Sequence, residues 1–130
     1  NRATTVLSIA ANVLDARIAT LRRDNKTMID CLRKAVEVED SLAYDEPPTW
    51  FLPTREMLGG ALMKIGHYAE AEQVFRSDLD RNRRNGRSLF GLRESLKAQK
   101  KDYAAALVQR EFETAWRNAD VKLSLQDLWR

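Results

Sequence analysis

Apolar residues recur every three or four positions through most of this chain, the period of a helix with one buried face. Over residues 3–22 they fall at Val6, Ile9, Ala10, Val13, Leu14, Ile18 and Leu21. The polar turn Arg22-Arg23-Asp24-Asn25 breaks the run, and Asn25 or Thr27 is expected to cap the next helix. That second helix should reach about Asp40, with Met28, Leu32, Ala35 and Val36 inward. Leu58 to Leu79 then reads as two short helices folded back on each other at Gly66-His67. Leu58, Leu62 and Ile65 form the first stripe, and Tyr68, Ala71, Val74, Phe75 and Leu79 the second. Gly66 can take the left-handed conformation that ends a helix. Gly59, Gly60 and Ala61 are small where two helices must approach closely, and Phe75 is the bulky filler beside Ala71.

Between these blocks the period fails. Residues 42–52 form a connector in which Pro47 and Pro48 exclude helix, while Pro53 suits the first turn of the helix that follows. A second turn spans Arg81 to Arg87, where Gly86 is expected to allow the reversal. A third helix pair covers residues 87–118. An offset of 34 residues pairs Leu58 with Leu92, Leu62 with Leu96, Ala71 with Ala105 and Val74 with Val108. It also places Arg93 where Gly59 stands and Lys100 where Gly66 stands. Tyr68 and Tyr103 fall one residue outside that offset, which predicts a one-residue slip in the third turn. Residues 121–130 carry a short helix signal: Ser124 and Asp127 as a capping box, and Leu125, Leu128 and Trp129 as an apolar edge. This helix is expected to cover the end of the helical stack.

The helix–turn–helix pattern, strongest over Leu58–Leu79, resembles the tetratricopeptide repeat, a unit of about 34 residues. The resemblance implies an all-α fold: a right-handed α-solenoid of antiparallel helix pairs with about three repeats (residues 3–41, 53–84 and 87–118) and a C-terminal capping helix, in one domain over residues 1–130. The stretches Tyr44-Asp45-Glu46-Pro47-Pro48-Thr49-Trp50, Leu58-Gly59-Gly60-Ala61-Leu62 and Asn85-Gly86-Arg87-Ser88-Leu89-Phe90-Gly91-Leu92 are similar to the C-terminal part of large bacterial tetratricopeptide proteins, largely uncharacterised. That similarity implies a bacterial origin and brings no functional residue with it. Repeats of this kind line a concave groove with their first helices, where extended peptides bind. The groove positions implied are Arg17 and Thr20, then Glu56, Met63 and Lys64, then Arg87, Phe90, Glu94 and Lys97. They mix both charges and lack the uniform basic clamp by which chaperone-binding members grip a peptide carboxylate.

Composition narrows the picture without redirecting it. With 130 residues, 44% hydrophobic and 32% charged, the chain is too apolar for disorder. Five Gly and three Pro are too few for an all-β chain rich in turns. A net charge of +3 does not by itself imply nucleic acid. No apolar run is expected to reach the ~20 residues of a membrane span. The chain opens at Asn1 without Met and is read as a piece of a longer protein. A lone cysteine, Cys31, leans towards a reducing, cytoplasmic compartment without fixing localisation.

Candidate chemistry is sparse. Cys31 and His67 cannot supply the three or four ligands of a zinc site, nor a Ser-His-Asp or Cys-His constellation. No catalytic residue, metal or cofactor is therefore expected. Asp45 and Glu46, beside Tyr44 and Trp50 on a Pro-Pro loop, read either as a ligand contact or as packing, with the carboxylates capping the next helix. Arg81, Arg83, Arg84 and Arg87 are a basic cluster diluted by Asp78 and Asp80 and without interleaved aromatics, so nucleic acid is not expected. The function these readings favour is a non-enzymatic scaffold binding a peptide or protein in the groove, with Phe90, Met63 and Trp50 as anchors. The alternative is one wall of a ligand or catalytic site built on the Tyr44–Trp50 connector of a larger protein. A spacer, or a homo-oligomer paired through the first helix, is a third possibility.

Overall fold

The computed structural model of the chain describes residues 1–129. Among them the regular structure is all α: α1 (Ala3–Leu21), α2 (Asn25–Asp40), α3 (Thr54–Lys64), α4 (Tyr68–Arg81), α5 (Gly86–Ala98), α6 (Asp102–Ala115) and α7 (Leu125–Trp129). The chain divides into two compact units, Asn1–Thr54 and Arg55–Arg130.

The first unit is the α1–α2 hairpin followed by the connector. Ile9, Val13, Ala16 and Ala19 of α1 are buried, as are Met28, Ile29, Leu32 and Ala35 of α2. The cap of α2 is Asp24 rather than Asn25 or Thr27: its carboxylate accepts from the Thr27 backbone N–H at 3.0 Å and the Thr27 hydroxyl at 2.6 Å. The expected apolar stripe of α1 is also corrected. Leu14, Ile18 and Leu21 point to solvent with Leu7, and the small Ala16 and Ala19 take the contact side instead. Alanines let the axes come close, and the larger residues one step round the helix are thereby turned out. Leu7, Ala11, Leu14, Ile18 and Leu21 consequently form a second, outward stripe at alternating spacings of four and three. α1 is also long and apolar enough, by length and composition alone, to cross a bilayer, although it includes Asp15 and Arg17.

The second unit holds α3 to α7. Its packing centres on Phe75, which is fully buried. A Cβ at Gly59 of α3 would lie 2.5 Å from the Phe75 ring, and one at Gly91 of α5 would lie 2.3 Å from it. The ring is therefore clasped between two helices that each leave out a side chain. Gly60 faces differently: a Cβ there would lie 2.9 Å from Leu128 Cβ of α7 and 3.2 Å from its carbonyl carbon.

The hairpin turns share one backbone device. His67 N–H bonds back to Leu62 O at 2.9 Å, Lys101 N–H to Leu96 O at 2.9 Å, and Asp24 N–H to Ala19 O at 2.9 Å. Each follows a left-handed residue: Gly66 (φ 82°), Lys100 (φ 58°) and Arg23 (φ 57°). These are helix C-terminal motifs with the six-to-one bond. The first two are offset by the 34 residues seen in the sequence, and Leu62 and Leu96 are both fully buried. The expected one-residue slip is therefore absent. Tyr103 simply sits one place further along α6, 80% exposed. At the α4–α5 turn the left-handed residue is Arg84 (φ 62°), not Gly86. Gly86 instead opens α5 under Trp116, whose ring a Cβ would approach to 2.4 Å.

A prediction follows from Lys100. A side chain in the left-handed region costs about 1–2 kcal/mol, and glycine forfeits part of the gain through its freer unfolded chain. Lys100→Gly is expected to stabilise by roughly 0.5–1 kcal/mol. Gly66→Ala is expected to destabilise by about 1 kcal/mol. Urea midpoints of the two variants check both signs.

Candidate functional site

The predicted groove residues separate into two groups. Arg17 lies exposed in the first unit with Thr20, whose hydroxyl donates to Ala16 O at 2.9 Å. The rest lie in the second unit. There Glu56, Met63 and Phe90 are buried at 3%, 6% and 6% exposure, so none presents a free anchor on the surface. Lys64 and Lys97 are exposed, and Glu94 is partly so. Phe90 turns towards α6, 5.9 Å from Phe112, and the Arg93 guanidinium covers both rings at 4.8 and 5.1 Å. Arg93 in turn bonds Glu94 Oε1 at 2.7 Å and Gln109 Oε1 at 2.6 Å. Phe90 thus packs in the α5–α6 contact.

Glu56 and Arg87 do come together, facing each other rather than solvent. Arg87 Nε donates to Glu56 Oε2 at 2.6 Å, and Asn85 Nδ2 donates to Glu56 Oε1 at 2.8 Å. Arg87 then reaches α7, donating through Nη2 to the Asp127 carbonyl at 2.6 Å. Behind this lies Asp78, 1% exposed. Its Oδ2 accepts from the Ser88 hydroxyl at 2.5 Å and from Asn85 Nδ2 at 2.9 Å, and its Oδ1 accepts from Asn82 Nδ2 at 2.8 Å. Sequence reasoning treated Asp78 as one charge in a basic turn. The spacing Ala71, Phe75, Asp78 puts it on the inward face of α4 and was the signal that could have found it.

The face of α3 and α5 is occupied by the chain's own C-terminal segment. Trp116 Nε1 donates to Val121 O at 2.7 Å, and the ring stacks on Phe112 at 6.0 Å. The chain then turns back, burying Leu123 and Leu128. Ser124 and Asp127 form the expected capping box, with Asp127 Oδ2 accepting from Ser124 N–H at 2.7 Å and from its hydroxyl at 2.8 Å. α7 rests on Gly60 of α3 and on Arg87 of α5. The expected helix is shorter than 121–130, and Arg130 lies outside the described residues.

In the connector, Tyr44 is exposed and its hydroxyl donates to Glu46 Oε2 at 2.8 Å. Asp45 Oδ2 lies 3.4 Å from Asn1 Nδ2. Neither carboxylate caps α3. Glu39 does so, accepting from the Thr54 backbone N–H at 2.7 Å and from the Thr54 hydroxyl. Glu39 sits in the last turn of α2. Trp50 is half-buried, and its indole N–H is enclosed without an acceptor. Phe51 beside it is 89% exposed.

Two further features complete the surface of the second unit. An open depression of about 530 Å³ is lined by Leu79, Arg83, Arg84, Leu89, Glu111, Thr114 and Ala115. Glu72 joins α4 to the α5–α6 turn, accepting from Lys101 Nζ at 2.8 Å, Gln99 Nε2 at 2.9 Å and Arg76 Nε at 3.0 Å. Burial pushes its carboxyl pKa up, but the bonds from Lys101, Gln99 and Arg76 outweigh that and hold it at about 2. A depressed folded-state pKa contributes stability that is present above the ordinary carboxylate value and lost as pH falls through about 2. Because Lys101 and Arg76 are about half exposed, solvent screens the effect to about 1–2 kcal/mol. Glu72→Gln should therefore melt lower than the parent at about pH 6, and the gap should close towards pH 2.

Among the described residues no group of three His, Cys, Asp or Glu could hold a metal ion. Burial pushes the Cys31 thiol pKa up, away from thiolate reactivity. In comparisons with known proteins, no family model, no curated protein and no solved structure matches the chain.

Proposed function

We propose that this chain is a non-enzymatic interaction scaffold of tetratricopeptide-like helix pairs, arranged as a right-handed solenoid, that binds a peptide or partner protein on the face of its first helices. The observation that carries this reading is the seat of α7: the α3–α5 face already holds a short helical segment by one buried leucine and one arginine–carbonyl bond. The 34-residue recurrence of the turn bonds supports the repeat. Two exposed cations, Lys64 of α3 and Lys97 of α5, the latter 3.4 Å from Glu94 Oε1, would set register for a ligand. Panning a random-peptide library on the full chain tests the proposal. Selected peptides should bind the parent and lose binding to a folded Lys64→Glu/Lys97→Glu variant. No enrichment, or equal binding to the variant, would overturn it.

A second reading rests on the connector. The Trp50 indole N–H lacks an acceptor, and Tyr44 and Phe51 stand exposed nearby in the chain. These could form one wall of a ligand or catalytic site in a larger protein. Trp50→Ala decides the matter: lost binding with intact helicity favours the site, and a collapsed melting temperature favours packing.

A further inference from the structure

We infer that the outward face of α1 is a self-association seam, through which two copies of the chain pair as an antiparallel, two-fold dimer. The inference concerns the first unit and stands independently of the interaction role proposed for the α3–α5 face.

Three observations carry it. First, the seam is wet and regular. Leu7, Leu14, Ile18 and Leu21 are 65%, 58%, 36% and 86% exposed, and Ala11 between them is exposed too. Their alternating steps of four and three are the heptad spacing at which one helix seats its side chains between those of another. No charged residue interrupts the row. Monomeric proteins rarely leave so continuous an apolar face in water.

Second, the seam matches itself when reversed. A two-fold axis through Leu14 sets Leu7 against the partner's Leu21 and Ala11 against the partner's Ile18. The small residue then meets the branched one at both symmetry-related places, and the row fills without a void. In a parallel pair Ala11 would meet itself and leave a gap. Two such rows face to face remove on the order of 1,000 Å² from water, the lower end of specific interfaces. A dissociation constant in the micromolar range is therefore expected.

Third, the surroundings suit a second protein surface better than a bilayer. The other side of α1, with Ile9, Val13, Ala16 and Ala19, is closed by α2. α2 brings Lys26, Arg33, Lys34 and Glu37 on its own exposed side, and such a hairpin is too costly to sink into hydrocarbon. Helices that lie on membranes are rich in Lys and Arg, whereas Arg17 is the one basic residue of α1.

The test is sedimentation velocity on the full chain at about 1–200 µM, a span that brackets a micromolar constant. The parent should pass from monomer to dimer and stop there, because a two-fold pairing closes. Leu14→Glu sets two carboxylates at the axis and should raise the dissociation constant at least about a hundredfold. Leu21→Glu, at the most exposed position of the seam, should act in the same direction. Neither change touches the buried face, so thermal melting followed by circular dichroism should match the parent. Tyr103→Glu, 80% exposed on α6, should leave the dimer unchanged. Orientation is read in a Cys31→Ser background. A mixture of Leu7→Cys and Leu21→Cys chains should form a mixed disulfide on oxidation, and neither chain alone should cross-link. A monomer at every concentration, an undiminished dimer in folded Leu14→Glu or Leu21→Glu, or same-site disulfides alone would overturn the inference. So would loss of the dimer in Tyr103→Glu, or a monomeric chain that partitions onto anionic vesicles through the seam. The scaffold reading fails separately, through the Lys64 and Lys97 variants and the library peptides.

Discussion

Phe75→Ala is expected to lower the stability of the second unit by about 3–5 kcal/mol and its melting temperature by roughly 15 °C or more. The side chain is fully buried, and its ring is the surface on which α3 and α5 close over α4. Removing it leaves a void walled by two glycine backbones. They have no side chains with which to fill it, so relaxation is poor and the cost falls at the upper end of the usual range. Phe75→Leu should cost much less, about 1–2 kcal/mol. The reciprocal change makes the argument specific. Gly91→Ala places a methyl 2.3 Å from the ring and should destabilise, although alanine is the better helix former. Combined with Phe75→Leu, that methyl should cost less than it does alone, giving a coupling of about 1 kcal/mol in a double-mutant cycle. Strict additivity in urea denaturation would show that the ring and the glycines do not press on each other.

The second large effect is expected at Asp78. Its carboxylate receives the Ser88 hydroxyl and the Asn82 and Asn85 amides while 1% exposed. Asp78→Ala removes the acceptor and strands three donors, two of which gather the ends of α4 and α5. The expected loss is about 3 kcal/mol. Ser88→Ala deletes one donor and leaves the carboxylate its amide partners, so about 1 kcal/mol is expected. Asn85 also serves Glu56 and caps α5 through the Arg87 N–H at 3.1 Å. Hydrogen exchange in Asp78→Ala should therefore accelerate at the start of α5 before it does at the start of α6. An Asp78→Ala chain within about 0.5 kcal/mol of the parent would mean that water replaces the network without cost.

The helices, their turns and the small contact positions were legible in the sequence because each rests on a local rule. Leu62 and Leu96 follow a helical period, Gly66 marks a helix end, and Ser124 with Asp127 announces a cap. The choice of face on α1 was not legible. Periodicity gives two candidate stripes there, and only packing against α2 shows that the alanines go inside. Lys100 and Arg84 escaped for another reason: the left-handed residue of a turn is fixed by backbone bonds, which a lysine or arginine can satisfy at a modest cost. Repeat register placed Glu56, Met63 and Phe90 on the groove but could not foretell their burial, Glu56 against Asn85 and Arg87 and Phe90 against Phe112. Asp78 was hidden by composition, since a carboxylate among arginines looks like surface charge until its partners are seen.

The outward stripe of α1 has a consequence for how the chain behaves in solution. Leu7 and Leu21 stand 65% and 86% exposed at the two ends of a seam with Ala11, Leu14 and Ile18 between them. Association through such a seam strengthens as excluded salts raise the cost of wet apolar surface. An anion drawn to Arg83 and Arg84 at the rim of the depression, beside Glu111, would respond with the opposite sign, because charge attraction is screened beyond about 8 Å at physiological ionic strength. Raising salt would therefore strengthen any association through the seam and weaken any anion contact at the depression, so a titration of ionic strength can tell which surface a given complex uses.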